Sequence, residues 1–393
     1  MYPTITISTK RTASLRFKHP WIFSGAIVSK DAGVEHGCVV RILDETGESY
    51  GIGTYSKTSS IAVRVLDWKE VKIDSDWFAA RLSESLERRK IIDLCDLHTT
   101  GFRVLFGEAD GVPGLVVDKY GDVVVFQIAT AGLDRLRDEI VHGIKKLLSP
   151  SAIVEKSDAG VRKDDGLEEN VGVRFGKVEA PVAFLERGRK YKADVLVGQK
   201  TGFFLDQRNA RDFVVQIAKD RECLNLFSYS GAFGVAAMVG LAKSVHNVDL
   251  SSSALELCRE HAKLNGINQD IFTTEESDVF AWLDAHTKPS FDLVVLDPPA
   301  LIKSSKDAQA GKKAYHFLNR AAIRLVRRGG IFVTSSCSAH LSEDDLLLIL
   351  RRASVQAGAR LFTLCNLHQT EDHPMSVYFP EGKYLKTFAF RVE

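Results

Sequence analysis

The chain has 393 residues, of which 45% are hydrophobic and 26% charged, and its formal net charge at pH 7 is +1. This composition is typical of a folded protein with an ample core and two or three domains. The near-zero net charge gives no global sign of a nucleic-acid binder, although basic residues could still cluster on one face. No apolar run reaches transmembrane length and the N-terminus has no apolar signal core, so we expect no membrane association.

The six cysteines are scattered along the chain and form no CxxC pair. This spacing favours neither a disulfide framework nor a zinc site, and we therefore expect no metal. Reduced thiols in a cytoplasmic protein are the simplest interpretation.

Residues 1–70 are rich in β-formers and glycine turns, with predicted strands at 4–7, 37–43, 50–53 and 61–66. Basic residues lie close to an aromatic one in this module: Lys10, Arg11, Arg16 and Trp21. RNA bases can stack on aromatic rings while basic side chains meet phosphates, which predicts an RNA-binding module. The alternative is that Trp21 belongs to the core and that the charges are simply solvated.

The pattern of helices and strands over residues 71–185 predicts a second, central α+β domain. A helical pattern occupies residues 71–100, and a meander follows with strands at 102–106, 115–119 and 123–128. A helix at 133–148 and strands near 152–156 and 183–185 complete the unit.

From residue 186 to 393, strands and helices alternate. The predicted helices are 209–220, an Ala- and Gly-rich stretch between Gly234 and Ser244, 251–264, 278–282, 315–326 and 343–356. The predicted strands are 223–227, 244–248, 291–296, 331–336, 360–364 and 384–392. Such alternation predicts an α/β fold, a Rossmann-like parallel sheet with helices on both faces. Ligands of such a sheet bind at the carboxyl ends of its strands.

A small-residue turn follows the strand at 223–227 and contains Ser228, Gly231 and Gly234. The glycines allow a sharp turn and the close approach of a ligand. Asp249 ends the next strand, where its carboxylate can accept hydrogen bonds from ribose hydroxyls. The glycine spacing is not GxGxxG, which disfavours a dinucleotide and favours an adenosine ligand without pyrophosphate, most commonly S-adenosylmethionine. An ordinary βαβ unit with a tight turn is the alternative.

A buried strand at 291–296 ends in Asp297-Pro298-Pro299. Because proline lacks a backbone N–H, carbonyls here are available to a ligand. A carbonyl together with the Asp297 carboxylate suits a base edge with an exocyclic amino group, as in cytosine or adenine. Position 300 is Ala rather than an aromatic residue that would stack on adenine, which favours cytosine.

Cys337 lies at the predicted tip of the strand at 331–336, between two serines. A deprotonated thiol beside a cofactor crevice can act as a nucleophile. Carbon 5 of cytosine is a poor nucleophile, and thiolate addition at carbon 6 makes it able to accept a methyl group from a sulfonium. The alternative is a buried structural cysteine, which is what we expect of the other five.

The whole chain resembles the bacterial large-subunit ribosomal RNA cytosine-5 methyltransferases, within the class I S-adenosylmethionine-dependent methyltransferases. The motifs that carry the resemblance are GQKTGFFLDQR at 198–208, LNLFSYSGAFGVAA at 224–237, NVDLS at 247–251, LNG at 264–266, DPPA at 297–300, TSSCS at 334–338, DHP at 372–374 and FPEGKYLK at 379–386, with Tyr315 and Asn319. The resemblance implies an N-terminal PUA domain at 1–70, a small α+β domain at 71–185 and a methyltransferase domain at 186–393.

The resemblance also implies roles for individual residues. Cys337 would be the nucleophile, and Asp297 would bind the base and help to protonate it. The residues expected around S-adenosylmethionine are Gln207, Arg208, Phe227, Ser228, Tyr229, Ser230, Gly231, Asp249, Ser251, Asp278 and Asp297. Those expected to meet large-subunit ribosomal RNA are Lys10, Arg11, Arg16, Trp21, Pro298, Tyr315 and His373.

One position departs from many other RNA cytosine-5 methyltransferases, which carry a second cysteine directly after the Asp-Pro motif. Ala300 stands in the corresponding stretch here, so another group must remove the carbon 5 proton, with His373 and water as candidates. Two other functions stay open: methylation of another RNA base, such as guanine at N7, and a non-catalytic RNA-binding assembly factor. The oligomeric state is open as well, a homodimer included.

Overall fold

The computed structural model describes residues 2–302 and 304–393. The chain divides into two compact units, each assembled from separate segments. The first unit comprises Met1–Arg187, Lys192–Leu205 and Glu371–Gly382, and the second comprises Gly188–Tyr191, Asp206–Thr370 and Lys383–Glu393. The predicted N-terminal and central domains, 1–70 and 71–185, both fall within the first unit, and the borders at residues 70 and 185 stay predictions.

The N-terminal part of the first unit is a six-stranded sheet in the order β2-β6-β5-β4-β1-β3. Its elements are β1 (Thr4–Ile7), α1 (Ala13–Arg16), β2 (Trp21–Phe23), β3 (Ile27–Lys30), β4 (Val39–Asp44), β5 (Ser49–Tyr55) and β6 (Ile61–Asp67). Alternate residues of β1 and β4 face a small core that includes Ile5, Ile7, Val40 and Ile42. The four predicted strands are confirmed, and the short strands β2 and β3 were not predicted.

The rest of the first unit contains a five-stranded sheet in the order β11-β10-β9-β8-β7. The elements in this part of the chain are α2 (Ser75–Ile91), β7 (Gly101–Phe106), β8 (Leu115–Tyr120), β9 (Val123–Ile128), α3 (Ala131–Arg135), α4 (Arg137–Leu148), β10 (Ala152–Ser157), β11 (Asn170–Gly176), β12 (Val182–Glu186) and β13 (Arg189–Ala193).

Two helix predictions in this region need correction. The helix predicted over 71–100 is α2 alone, because Asp74 caps its start by accepting from the Trp77 N–H (3.1 Å) and the chain turns into the left-handed region at Asp93. The helix predicted over 133–148 is two helices, α3 and α4, which meet at Leu136.

The second unit is built on a seven-stranded sheet in the order β16-β15-β14-β17-β18-β20-β19. Its elements are α5 (Arg208–Ile217), β14 (Glu222–Leu226), α6 (Ala232–Val239), β15 (Ser244–Asp249), α7 (Ser252–Leu264), β16 (Phe272–Glu276), α8 (Val279–Ala285), β17 (Phe291–Leu296), α9 (Ala308–Leu325), β18 (Val326–Ser336), α10 (Glu343–Ala357), β19 (Leu361–Leu367) and β20 (Lys386–Val392).

Five strands of this sheet run parallel, and their register aligns the strand tips. Leu226 of β14 is opposite Val248 of β15 on one side and Leu296 of β17 on the other. Leu296 in turn is opposite Thr334 of β18. The segments that follow these four positions therefore leave the sheet at the same edge, as predicted for a ligand crevice.

The expectation of a wholly parallel sheet was wrong at one end. Strand β20 is antiparallel to both of its neighbours, β18 and β19. Only a single 3-10 turn, Pro380–Gly382, lies between β19 and β20, and without a crossover α-helix two adjacent strands pair antiparallel. Strand β16 was missed as well, because Thr273, Thr274 and Glu275 do not form an apolar run.

The core of the second unit lies on both faces of the sheet. The inner strands β14 and β17 are buried on both sides, which explains their nearly continuous apolar sequences. Among the described residues, no helix combines the length and the apolar character needed to cross a membrane.

Candidate active site

The turn after β14 holds an unusual backbone conformation. Phe227, Tyr229 and Gly231 all have positive φ, at 57°, 47° and 74°. A Cβ at Gly231 would lie 2.1 Å from the Sγ atom of Cys258, so only glycine fits. The Ser228 N–H donates to the Val248 carbonyl (3.0 Å), which ties the turn to β15. The turn is thus held in a single shape that keeps its backbone close to the strand tips.

Asp249 organises the neighbouring turn. Its carboxylate accepts from the Tyr229 N–H (2.7 Å) and from the Ser251 N–H (2.9 Å), and so joins the turn after β14 to the start of α7. A carboxylate offers about four lone-pair sites, so Asp249 retains capacity to accept from ribose hydroxyls. The predicted role of Asp249 is compatible with this geometry.

Two buried polar atoms near the turn and the tip of β17 have no hydrogen-bond partner among the described residues. They are Oγ of Ser228 and Oε1 of Gln207. The other amide atom of Gln207, Nε2, donates to Oδ1 of Asp297 (2.8 Å). Buried polar groups in folded proteins are nearly always paired, so these two atoms indicate a polar ligand. S-adenosylmethionine, with its ribose hydroxyls and amino-acid group, fits such a donor and acceptor set.

Two other predicted cofactor residues, Asp278 and Arg208, differ in their exposure to solvent. Asp278 is exposed, and its carboxylate caps α8 by accepting from the Ala281 N–H (3.0 Å). The preceding residue, Ser277, donates its N–H to the Asp249 carbonyl (3.0 Å), so Asp278 lies near the end of β15. Arg208 is fully buried, and its Nη1 atom donates to Oγ1 of Thr370 (3.3 Å). Arg208 therefore supports the start of α5 in this structure, and its predicted contact with the cofactor stays a prediction.

Asp297 follows β17 and is half-buried, whereas Pro298 is buried. The backbone of Asp297 stays near β14, with its N atom 3.5 Å from the Leu226 carbonyl oxygen. The loop that it opens is held at its far end, where the Ile302 N–H donates to Oγ of Ser338 (3.2 Å). Ser338 directly follows Cys337, so the Asp-Pro-Pro loop and the cysteine segment are joined by a hydrogen bond.

The segment around Cys337 is fixed by its two flanking serines. Ser336 donates its hydroxyl to the Tyr315 hydroxyl (2.9 Å), which in turn lies 3.0 Å from Oγ of Ser338. The Ser338 N–H also donates back to Oγ of Ser336 (3.3 Å). Cys337 itself is half-buried at the end of β18. The residues on both sides of Cys337 are therefore held by hydrogen bonds to the hydroxyl of Tyr315.

Tyr315 has a different place from the one expected. It is 0% exposed, and its ring belongs to the core on the α9 side of the sheet. Burial raises the pKa of Tyr315, so the phenol stays neutral and able to donate a hydrogen bond. In this structure Tyr315 positions the Cys337 segment and does not offer a surface to RNA.

Lys386, which was not among the predicted site residues, lies beside the Cys337 segment. It is 6% exposed, and its Nζ donates to the carbonyls of Ser338 (2.8 Å) and Leu341 (2.6 Å), which belong to the loop after Cys337. The sequence does indicate that Lys386 is unusual, because it directly precedes Thr-Phe-Ala-Phe, a largely apolar stretch that predicts a buried strand.

The residues predicted to meet RNA in the first unit are exposed, with two exceptions. Lys10, Arg11 and Arg16 are exposed, and Arg11 lines a cavity of about 230 Å³ together with Trp21. Trp21 is half-buried: its indole N–H donates to Oε1 of Glu108 (2.9 Å). His373 is 2% exposed, with Nδ1 2.8 Å from Oδ1 of its neighbour Asp372.

Comparison with known proteins agrees with the geometry. The family model described as S-adenosylmethionine-dependent methyltransferase matches residues 175–368, and the PUA-like domain model matches residues 5–68. A protein described as "A putative sam-dependent methyltransferase from Streptococcus mutans" has the same fold, with a TM-score of 0.83, 23% identity and 99% of each chain covered. Fold and site together define an S-adenosylmethionine-dependent methyltransferase, and the predicted fold class and cofactor are confirmed.

Relatives with higher identity define the family. The chain is 37% identical to "Ribosomal RNA large subunit methyltransferase I" of Alteromonas mediterranea, over 98% of each chain. It is 38% identical to the protein of the same name from Aeromonas salmonicida, over 97% of each chain. The chain belongs to the ribosomal RNA large subunit methyltransferase I family, which confirms the resemblance stated from its motifs.

Proposed function

We propose that this protein methylates carbon 5 of a cytosine in large-subunit ribosomal RNA, through a covalent adduct with Cys337. The observation that carries the proposal is the setting of Cys337, at the tip of β18, next to the strand whose tip bears Asp297. Methylation at a ring nitrogen such as guanine N7 needs no thiol at this position. The relatives' name supplies the substrate class, large-subunit ribosomal RNA.

The reaction begins with the thiolate of Cys337. Its sulfur adds to carbon 6 of the cytosine, and the electron pair of the carbon 5–carbon 6 double bond becomes available at carbon 5. S-adenosylmethionine, when bound, would supply the methyl group: a bond from carbon 5 to the methyl carbon would form as the methyl–sulfonium bond breaks, and the cofactor would leave as a neutral thioether. Removal of the carbon 5 proton restores the double bond, and the carbon 6–sulfur bond breaks to return the thiolate.

The target base must leave its stack in RNA to reach this position. Asp297 and the carbonyls of the Asp-Pro-Pro segment are suited to the amino edge of cytosine, because the prolines offer acceptors and no N–H donors. The hydrogen bond from Gln207 to Asp297 (2.8 Å) orients the carboxylate. Water and His373 both stay candidates for removal of the carbon 5 proton.

The turn after β14 and the tip of β15 would hold the cofactor. Asp249 would accept from ribose hydroxyls, and the orphaned Oγ of Ser228 and Oε1 of Gln207 would gain partners from the ligand. Gln207 also bonds Asp297, so a change at Gln207 is expected to affect both cofactor binding and chemistry, whereas Asp249 is proposed to act on the cofactor alone.

RNA affinity is proposed to come in part from the PUA-like module. Lys10, Arg11 and Arg16 are exposed and can neutralise phosphates. Such contacts position the RNA and carry no sequence information of their own.

The test uses large-subunit RNA that lacks the modification, incubated with the protein and S-adenosylmethionine, followed by mass spectrometry of the nucleosides. Wild type and Cys365→Ser, a matched cysteine control on β19, should both give 5-methylcytidine. Cys337→Ser should give none while still binding S-adenosylmethionine. Formation of 7-methylguanosine, or an active Cys337→Ser protein, would contradict the proposal.

A further inference from the structure

Lys386 is a buried basic residue that forms no ion pair with an Asp or Glu side chain among the described residues. It opens β20 and is 6% exposed. Within residues 2–302 and 304–393, no carboxylate lies within 4 Å of its Nζ, which donates hydrogen bonds to the Ser338 and Leu341 carbonyls. Buried lysines in folded proteins are normally paired, because an isolated charge is costly to remove from water. A negative charge close to Lys386 would therefore stabilise its charged form.

Three charged groups act on Lys386 from the elements packed around it. Burial lowers the pKa of Lys386, whereas negative charge on Cys337 and on Glu343 raises it and the positive charge of Lys383 lowers it. Glu343 is already paired with Lys383 (3.3 Å) and accepts from Nδ2 of Asn366 (2.6 Å). Tyr315 stays neutral, since burial raises its pKa. The backbone places Lys386 beside Cys337: Lys386 is opposite Ser336 in the pairing of β20 with β18, and its Nζ bonds the carbonyl of Ser338, so the two neighbours of Cys337 both adjoin the lysine. The thiolate of Cys337 is therefore the negative charge that this geometry brings to Lys386.

We propose that Lys386 is a positioning residue that stabilises the thiolate form of Cys337 and holds the loop in which the thiolate is presented. The inference rests on the proposed function, in which Cys337 is the nucleophile. Electrostatic interaction between two groups is mutual: a thiolate that favours the ammonium is itself favoured by the ammonium. A thiol next to a lysine is deprotonated at lower pH than a free one, and the thiolate is the reactive form.

A purely structural role is the competing explanation. The two hydrogen bonds from Nζ close the loop from Ser338 to Leu341, and a neutral donor could do the same. Lys386→Gln separates the two roles, because it keeps an N–H donor and loses the charge. Lys386→Met loses both, Lys386→Arg keeps the charge, and Lys383→Met removes a nearby exposed charge that the proposal does not use.

The experiment measures the rate of alkylation of Cys337 by iodoacetamide across a pH series, with each cysteine quantified by peptide mass spectrometry. Cys365, half-buried on β19, serves as the internal reference in every sample. The midpoint of the Cys337 curve reports its thiolate fraction, and the plateau at high pH reports access of the reagent.

The Lys386→Gln and Lys386→Met proteins should show a Cys337 midpoint about one pH unit higher, so that alkylation near neutral pH slows by about tenfold. Lys386→Arg and Lys383→Met should keep the wild-type midpoint. If the Met variant fails to fold, the Gln variant gives the same readout.

An unchanged midpoint in Lys386→Gln, with or without a changed plateau, would overturn the proposal and leave loop closure as the role of the lysine. Failure of the proposed function has a different signature. A methylating Cys337→Ser protein would remove the nucleophile from the mechanism while leaving the alkylation midpoints as they are.

Discussion

Tyr315→Phe removes one oxygen atom from beneath the Cys337 segment and leaves the ring in place. The lost hydroxyl bonds Ser336 (2.9 Å) and Ser338 (3.0 Å), both of which are buried. A typical hydrogen bond contributes about 0.5–1.5 kcal/mol, so the loss of two predicts a fall of about 1–3 kcal/mol in the free energy of unfolding. The remaining bonds of the two serines, between each other and to Ile302, should keep the fold intact.

The same substitution should slow methyl transfer more than it affects binding. Cys337 lies between the two serines that the phenol holds, and a displacement of about 1 Å at a reacting group can cost about a hundredfold in rate. The turn after β14 is untouched, so the affinity for S-adenosylmethionine should equal that of wild type. Urea denaturation, single-turnover methylation and isothermal titration measure the three quantities.

Tyr378→Phe is the matched control, because this tyrosine is 55% exposed in the first unit and has no assigned role. It should change none of the three quantities. A Tyr315→Phe protein with wild-type stability, or with wild-type single-turnover rate, would refute the positioning role of the phenol.

Three further predictions concern other parts of the molecule. Asp249→Ala should weaken S-adenosylmethionine binding by about 1.5–3 kcal/mol, and an unchanged dissociation constant in a folded variant would exclude the ribose contact. Lys243 and Arg327 lower the pKa of Glu222 to about 2, so its stabilising effect is complete above the ordinary value of 4.5 and is lost as the pH falls toward 2. Glu222→Gln should therefore be less stable than wild type at neutral pH, and in denaturation experiments the gap should close on acidification; a gap that does not depend on pH would be contrary to this. Arg11→Ala should weaken RNA binding and lower the slope of affinity against salt by about one, whereas an unaltered slope would remove Arg11 from the phosphate contacts.

The strand tips could be predicted because parallel strands end at one edge of a sheet. That rule places the turn at Gly231 together with Asp249, Asp297 and Cys337, from local sequence alone. Glycine at 231 was predictable as a turn residue, although the specific reason, contact with Cys258 from α7, was not.

The roles of Tyr315 and Lys386, which hold the Cys337 segment in place, depend on contacts between segments far apart in sequence. Tyr315 and Ser338 are separated by 23 positions, and Lys386 and Ser338 by 48. No local pattern shows that a tyrosine in α9 bonds a serine after β18, or that a lysine enters the core from an antiparallel strand. The same limit applies to β20, whose antiparallel direction depends on its pairing with β18 and β19 and on no local sequence pattern.

The most direct test of the covalent mechanism uses RNA whose cytosines are replaced by 5-fluorocytosine. After methyl transfer the fluorine cannot leave as a proton does, so the thioether to carbon 6 should persist. Wild-type protein with S-adenosylmethionine should give an adduct that survives denaturing electrophoresis, and mass spectrometry should place it on Cys337. Burial raises the pKa of Cys223 to about 12 and that of Cys95 to about 11, so neither should react. An active enzyme that forms no adduct, or an adduct on any other cysteine, would contradict Cys337 as the nucleophile.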